Sequence, residues 1–172
     1  GRACTGRDAG FDAAFGQLMG LYDRYVLPRV INLACSSSPN MKQREKVIPR
    51  AEGEVLEIGM GSGLNLPFYD RAKVRKVWGL EPSEGMRQLA RRNMGGANLD
   101  LEMIDLPGEE IPLDENSVDT VVVTYALCTI PDADKALRGM ARVLRPGGKL
   151  LFCEHGIAPD ERIATWQNRL DP

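Results

Sequence analysis

The stretch VLEIGMGSG, residues 55–63, is a short apolar run that leads directly into a glycine-rich turn. The apolar part lies between Gly53 and Gly59, which is typical of a central parallel strand covered on both faces. Gly59, Gly61 and Gly63 allow the backbone to turn tightly and to approach a ligand that a Cβ atom would push away. We therefore expect a ligand to rest on main-chain N–H groups of this turn.

Two carboxylates accompany the turn. Glu57 lies inside the apolar run, where an unpaired carboxylate is costly, so we expect it to hold a ligand amine or backbone donors. Residues 74–80 are predicted to form the next strand, and Glu81 follows them. Because open α/β sheets bind ligands outside the carboxyl ends of their strands, Glu81 is expected to point into the crevice and to accept hydrogen bonds from two ribose hydroxyls.

The glycine spacing of this turn differs from that of dinucleotide-binding sites. A dinucleotide fingerprint, G-x-G-x-x-G, requires a third glycine where this chain has Leu64. The spacing in this chain is G-x-G-x-G instead. This disfavours a nicotinamide-dependent oxidoreductase, which stays an alternative, as does a tight strand-to-helix turn that binds no ligand.

Strands and helices continue to alternate after Glu81. The predicted helices span about 84–94 and 132–144, and the predicted strands about 99–104, 118–125 and 149–154. Ser83 is a suitable N-cap for the first helix, and the β-branched run 118–125 is typical of a central strand. We predict an α/β fold, a doubly wound Rossmann-like parallel sheet of about five strands in the order 3-2-1-4-5, with the ligand at its switch point.

The N-terminal part is predicted to be helical. We expect a flexible tail at 1–10, helices over 11–50 and a single core domain over 51–172 that packs with those helices. Apolar residues recur at helical spacing, and Pro28 is expected either to kink this helix or to lie in the first turn of a second one. Residues 36–40 break the pattern, and another helix is predicted over residues 41–48.

The function of these N-terminal helices has two interpretations. They form either a plain packing face or a lid over the ligand, with Tyr22 or Tyr25 turned inward. Arg44 belongs to a helix predicted over residues 41–48 and is expected to be solvated.

Composition excludes some classes of function. The chain of 172 residues carries a formal charge of only −2, so we expect neither nucleic acid nor an anionic membrane as a partner. Its four cysteines show no C-x-x-C spacing, which indicates reduced thiols in a cytoplasmic setting and no metal site. No apolar run reaches the roughly eighteen residues of a membrane span.

Several separated motifs together resemble class I S-adenosylmethionine-dependent methyltransferases. VLEIGMGSGLNLPFY resembles their motif I with its following helix, and WGLEPSEGM resembles the acidic strand end and the next helix. MARVLRPGGKLLFCEH is similar to the helix, PGG turn and fifth strand. Within the superfamily, VTYALCTIPD and CEHG are most similar to the methyltransferase-11 group that contains thiol methyltransferases, and more loosely to quinone and phospholipid methyltransferases.

The resemblance implies S-adenosyl-L-methionine as the cofactor and a small molecule as the methyl acceptor. Its methionine amino group would lie near Glu57, its ribose hydroxyls on Glu81 and its adenine against Met86, with Glu109 at the adenine edge. The remaining implied contacts are Gly59, Met60 and Gly61 with the methionine and ribose, and Thr124 and Leu127 beside the sulfonium. Core packing is an equal alternative for the apolar members of this set.

The resemblance identifies no catalytic base. Many relatives place a histidine after the fourth strand, where this chain has Cys128 and Thr129. The only histidine, His155, follows the fifth strand and either deprotonates a thiol or only fixes the next turn.

The C-terminal part departs from the family pattern. The family sheet has seven strands, but Pro172 comes soon after the fifth, so strands six and seven are expected to be missing. The fifth strand would then be an exposed edge, through which we expect a homodimer to form. A cofactor-binding remnant without turnover is therefore a second hypothesis beside the methyltransferase.

Overall fold

The computed structural model of the protein describes residues 27–94, 99–154 and 156. One sheet of five parallel strands runs through this part of the chain in the order β3-β2-β1-β4-β5. The strands are β1 Gly53–Ile58, β2 Val74–Leu80, β3 Leu101–Ile104, β4 Val118–Thr124 and β5 Leu144–Cys153. The predicted α/β class and strand order are confirmed.

Helices cover the sheet and precede it. The α-helices of the described residues are α1 Leu27–Cys35, α2 Ser38–Val47, α3 Glu84–Asn93 and α4 Ala133–Val143. Pro28 is the second described residue of α1, and the choice between a kink and the first turn of a second helix depends on residues before Leu27, which lie outside the described residues. Ser83 caps α3 as predicted, because its side chain accepts a hydrogen bond from the Met86 N–H group.

The middle of the sheet is β1, which pairs with β2 on one side and β4 on the other. The order of strands reverses here, since the chain moves outward from β1 to β3 and then returns to β4. Leu56 shows the consequence, because it lies opposite Trp78 of β2 and Val121 of β4 and is fully buried. The crevice of an open α/β sheet is expected outside the carboxyl ends of β1 and β4.

Each face of the sheet has its own apolar core. The alternation of side chains along β4 divides its valines, so that Val121 and Val123 pack with α4 residues such as Met140. Val122 points to the other face and packs in a second cluster that includes Ile48. Burial on both faces explains why β1 and β4 read as continuous apolar runs.

The segment after β1 differs from the predicted helix start. Turns follow the glycines, and then a short 3-10 helix spans Leu66–Phe68. Pro67 is the physical reason, because a proline disfavours the α conformation of the residue before it and lacks an N–H group. The chain therefore passes over the end of β1 as an irregular loop that holds Asn65 and Tyr69.

β5 forms one edge of the described sheet, because it pairs only with β4 within these residues. It starts at Leu144, earlier than predicted, and Leu150 and Phe152 are exposed on it. The predicted homodimer through this edge stays a prediction. Residues 157–172, which bear on the expected loss of strands six and seven, lie outside the described residues.

We expect Leu56→Ala to lower the free energy of unfolding by about 2–5 kcal/mol, because the substitution leaves a cavity in the centre of the sheet. Leu33→Ala is the matched control, since Leu33 is exposed on α1, and it should change this free energy by no more than about 0.5 kcal/mol. Urea denaturation followed by circular dichroism measures both variants. Equal losses for the two would contradict the position of Leu56 in the core.

Candidate functional site

A cavity of about 290 Å³ lies at the carboxyl end of the sheet. The glycine turn, the ends of β2 and β4 and the N-terminal helices all contribute to its wall. Six of the nine residues predicted as cofactor contacts line it: Gly59, Met60, Gly61, Glu81, Met86 and Thr124. The topology thus brings together residues that lie far apart in the sequence.

The glycine turn is shaped by close packing on one side and open space on the other. Gly59 has a φ of 62°, and a Cβ atom there would lie 2.6 Å from the Cβ of Ala126. Gly61 also has a positive φ, 58°, but a Cβ atom there would meet nothing nearer than 3.9 Å. The turn therefore presents bare backbone to the cavity at Gly61.

The N–H groups of this turn are largely engaged within the protein. The Met60 N–H donates to the Leu80 carbonyl at 3.0 Å, and the Gly63 N–H donates to the Met60 carbonyl at 3.1 Å. The Gly61 N–H donates to Glu81 Oε2 at 2.9 Å. Internal acceptors therefore satisfy these three N–H groups within the protein, and a ligand that rests on main-chain N–H groups of this turn stays a prediction.

Glu81 lies at the end of β2 with only 8% of its surface exposed. Its Oε2 accepts from the Gly61 N–H, and its Oε1 accepts from the Ser83 N–H at 2.8 Å. Loss of solvent around the carboxyl raises the pKa of Glu81, and the two N–H donors oppose that rise. Each oxygen of an ionised carboxylate can accept more than one hydrogen bond, so Glu81 can still receive ligand hydroxyls.

Two methionines add apolar surface to the cavity wall. Met60 packs against Gly79 of β2, where a Cβ atom would lie 2.5 Å from its Sδ and Cε atoms. Met86 is buried in the first turn of α3. Thioether side chains adapt their shape to a flat apolar group, which suits the role predicted for Met86.

Glu57 does not line the cavity. Its side chain is 1% exposed, and its carboxylate accepts from the Asn65 side-chain amide at 2.9 Å and from the Tyr69 hydroxyl at 2.7 Å. The donors are therefore side chains, whereas backbone donors or a ligand amine were expected. A contact of Glu57 with the methionine amino group stays a prediction.

Burial dominates the electrostatics of this pair. Desolvation raises the pKa of Glu57 to about 7, although the hydrogen bonds from Tyr69 and Asn65 and the charge of Arg44 all lower it. Burial and the adjacent carboxylate raise the pKa of Tyr69 well above its ordinary value, so Tyr69 keeps its proton and acts as a donor.

Arg44 is the main residue that sequence reasoning missed. It was expected to be solvated, but its side chain is 5% exposed and lines the cavity. Its Nη1 donates to Asn65 Oδ1 and to Thr124 Oγ1, each at 2.7 Å. The sequence contained a signal, because Met41, Arg44 and Ile48 lie three and then four positions apart and share one helix face.

The loop after β4 is held from two sides. Tyr125 has a positive φ of 55°, which is uncommon for a residue with a side chain, and it lines the cavity. The Arg44 guanidinium lies 5.1 Å from the centre of its ring, and the Cys153 thiol donates to its hydroxyl at 3.3 Å. Burial raises the pKa of Tyr125 to about 12. Glu154 accepts from the N–H groups of Ala126 and Leu127.

Three of the nine predicted contacts do not line the cavity: Glu57, Leu127 and Glu109. Leu127 packs against the apolar core beside α4 and does not line the cavity. Glu109 borders a separate open groove, where it accepts a hydrogen bond from the Asp132 N–H at 3.3 Å. The roles predicted for Tyr22, Tyr25 and His155 stay predictions, because these residues lie outside the described ones.

The N-terminal helices do reach the cavity. Asn32 and Cys35 of α1 line it, and Asn32 accepts a hydrogen bond from the Ser62 hydroxyl of the glycine turn. Neither was a predicted site residue, because an apolar stripe indicates which face of a helix is buried but not what it covers. Within the described residues, no helix has the length and apolar character needed to cross a membrane.

Comparisons with known proteins agree with this geometry. Residues 56–152, more than half of the chain, match the family model of the methyltransferase domain. The thiol S-methyltransferase TMT1B of Homo sapiens is 35% identical over 74% of this chain and 54% of its own length. A phosphatidylethanolamine N-methyltransferase of Cereibacter sphaeroides is 31% identical over 78% of this chain and 70% of its own length.

A bacterial relative and a solved structure extend the match. An uncharacterised methyltransferase of Bacillus cereus is 31% identical, over 92% of this chain and 76% of its own length. The crystal structure of the YcgJ protein of Bacillus subtilis shares 26% identity, with a TM-score of 0.60, over 76% of this chain and 56% of that one. This chain thus spans about half the length of several relatives, and it belongs to the methyltransferase domain family, whose methyl donor is S-adenosyl-L-methionine.

Proposed function

We propose that the protein transfers a methyl group from S-adenosyl-L-methionine to a small-molecule nucleophile. The observation that carries the proposal is the cavity at the switch point of the sheet, where Glu81, bare backbone at Gly61 and the polar end of β4 meet. These groups suit a ligand with ribose hydroxyls, a sulfonium and an amino acid end.

The residues of the cavity fit this cofactor in kind. Glu81 would hold the ribose hydroxyls, Met86 would pack on the adenine, and Gly61 would allow close approach of the methionine chain. Met60 and Thr124 complete the proposed contacts from the cavity wall. Buried Arg44, whose Nε has no hydrogen-bond partner in the described residues, adds a positive group that was not predicted.

The chemistry asks the protein chiefly to align and to exclude water. The bound cofactor would supply an already activated methyl group, which an incoming lone pair would take up as the carbon–sulfur bond is given up. Tyr125 and Ala126, fixed by Cys153 and Glu154, form the wall that would orient the acceptor. Helix α1 would help to keep water out, because Asn32 and Cys35 line the cavity and Asn32 accepts a hydrogen bond from Ser62 of the glycine turn.

A thiol or another soft nucleophile is the acceptor class that we favour. The support is the similarity to a human thiol S-methyltransferase, which matches 74% of this chain. The similarity to a phosphatidylethanolamine N-methyltransferase makes a lipid amine the second candidate, and a quinone is a third. A thiol must lose its proton before or during transfer, and His155 is the residue we propose to examine as its base.

The alternative is a domain that binds the cofactor without turnover. The observation that bears on it is that β5 is an edge strand within the described residues, next to the loop that would orient the acceptor. In this alternative the cofactor contacts are unchanged, and only the acceptor site is incomplete.

Binding is tested by calorimetric titration of the chain with S-adenosylhomocysteine, the demethylated product, and with NAD. We expect Glu81→Ala to weaken product binding by about 1–3 kcal/mol, because the ribose hydroxyls lose a charged acceptor. Glu115→Ala, at an exposed carboxylate, is the control and should bind as the wild type does. Unchanged affinity in Glu81→Ala would remove Glu81 from the site, and tight NAD binding would overturn the proposed cofactor.

A turnover assay distinguishes an active methyltransferase from a domain that only binds the cofactor. We expect S-adenosylhomocysteine to form when the chain is incubated with S-adenosyl-L-methionine and small alkyl thiols, and to form more slowly with amine and quinol acceptors. Mass spectrometry detects the methylated product and assigns the acceptor atom. Cofactor binding with no product from any acceptor would favour the remnant.

The ionisation of Glu57 predicts a pH dependence of stability. Its pKa is about 7 in the folded protein against an ordinary value of 4.5, so between these values the folded state holds more protons than the unfolded state. The contribution of Glu57 to the free energy of unfolding should therefore be largest at low pH and decrease as the pH rises through this interval.

The variant Glu57→Gln isolates this contribution, because an amide does not titrate. Urea denaturation across about pH 5 to 8 should show that wild type loses stability relative to Glu57→Gln as the pH rises, with the difference levelling above about 7. Parallel pH profiles for the two proteins would contradict the raised pKa of Glu57.

A further inference from the structure

Arg44 is a buried cation that contacts no carboxylate of the described residues. Its Nη1 donates to two neutral oxygens, those of Asn65 and Thr124. No salt bridge joins it to any acid within residues 27–94 and 99–154. The Tyr125 ring, 5.1 Å away, is its other described partner. A buried guanidinium with only neutral partners is costly, and such groups are ordinarily paired with an anion.

The nearest carboxylate does not supply that pairing. Glu57 is linked to Arg44 only through Asn65, whose amide accepts from Arg44 and donates to Glu57. Tyr69 donates to the other oxygen of Glu57, so this carboxylate is already engaged on both sides. Burial also favours the protonated form of Glu57, which weakens its compensation of the Arg44 charge near neutral pH.

The guanidinium has donors to spare, and it faces the cavity. Nε is buried and has no acceptor among the described residues. Nη2 also makes no hydrogen bond to these residues, but it is not among the buried atoms. Arg44 lines the cavity together with Gly61, Ser62 and Thr124. A guanidinium that is held in place by two hydrogen bonds through Nη1 is preorganised to donate to an anion through Nη2.

We propose that Arg44 is the receptor for a carboxylate on the cavity ligand and that it restricts the site to cofactors that carry one. The inference rests on the proposed function, because the carboxylate of S-adenosyl-L-methionine is the one anionic group of that molecule. Strands β2 and β4 flank β1 in the sheet. Glu81 directly follows β2, and Arg44 of α2 contacts Thr124 at the end of β4. A ligand with hydroxyls on Glu81 therefore extends across β1 toward Arg44.

Decarboxylated S-adenosylmethionine is the matched probe, because it keeps the adenosine, the sulfonium and the amine and lacks only the carboxylate. We expect the wild type to bind S-adenosyl-L-methionine at least about tenfold more tightly than this probe, which corresponds to one charge-assisted hydrogen bond. In Arg44→Gln the preference should fall to about twofold or less, through loss of affinity for S-adenosyl-L-methionine alone. Calorimetric titration measures all four affinities.

Two further variants keep the test decisive. Lys42→Gln removes an exposed charge from the same helix and should preserve the preference for the carboxylate. Arg44→Lys keeps the charge without the planar donor set and should give an intermediate preference, and it is the variant to measure if Arg44→Gln does not fold by circular dichroism.

The outcomes separate this inference from the proposed function. Equal loss of affinity for both ligands in Arg44→Gln would show that Arg44 only holds the fold, and equal affinity of the wild type for both would overturn the carboxylate receptor while leaving the cofactor site intact. Failure of the wild type to bind either ligand would overturn the proposed function itself.

Discussion

A carboxylate inside the central strand is the constraint on which the site depends. Glu57 is flanked by fully buried residues of β1, so the fold has to provide donors for it within the protein. Asn65 and Tyr69 provide them, and both come from the irregular loop that follows the glycine turn. The loop is thereby fastened across the end of β1. Asn65 then holds Arg44, so the same interaction attaches helix α2 to the sheet.

The glycine turn follows from this arrangement. The chain has to leave β1, pass over its end and place Asn65 above Glu57, and it does so with positive φ at Gly59, Gly61 and Gly63. Internal acceptors satisfy several N–H groups of the turn, among them Glu81 Oε2 for Gly61. The same hydrogen bond fixes the carboxylate of Glu81 beside the cavity. The turn is thus a rigid wall that a ligand approaches closely.

The sequence predicted the parts of the site that depend on local pattern. The apolar runs, the glycines and the strand-end position of Glu81 follow from strand periodicity and from the rule for open α/β sheets, and they predicted the parallel sheet and its ligand site. Other cavity residues, such as Met60 and Thr124, were implied only by the resemblance to the methyltransferases. Leu127 and Glu109 were misplaced relative to the cavity, because a loop after a strand can turn either way and no periodicity indicates which. Arg44 was missed because charge predicted solvation, whereas its contacts come from segments distant in the chain.

The distribution of charge and free donors argues for one kind of ligand over another. A pyrophosphate on a glycine turn needs several unpaired N–H groups, and at Met60, Gly61 and Gly63 they are already bonded. The free donor lies instead on Arg44 of α2, whose side chain contacts Thr124 at the end of β4, while the acceptor Glu81 follows β2. A ligand that satisfies both must carry hydroxyls at one end and an anion at the other, with an uncharged or cationic middle over the turn. A nucleoside joined through a sulfonium to an amino acid has that order of groups, and a dinucleotide does not.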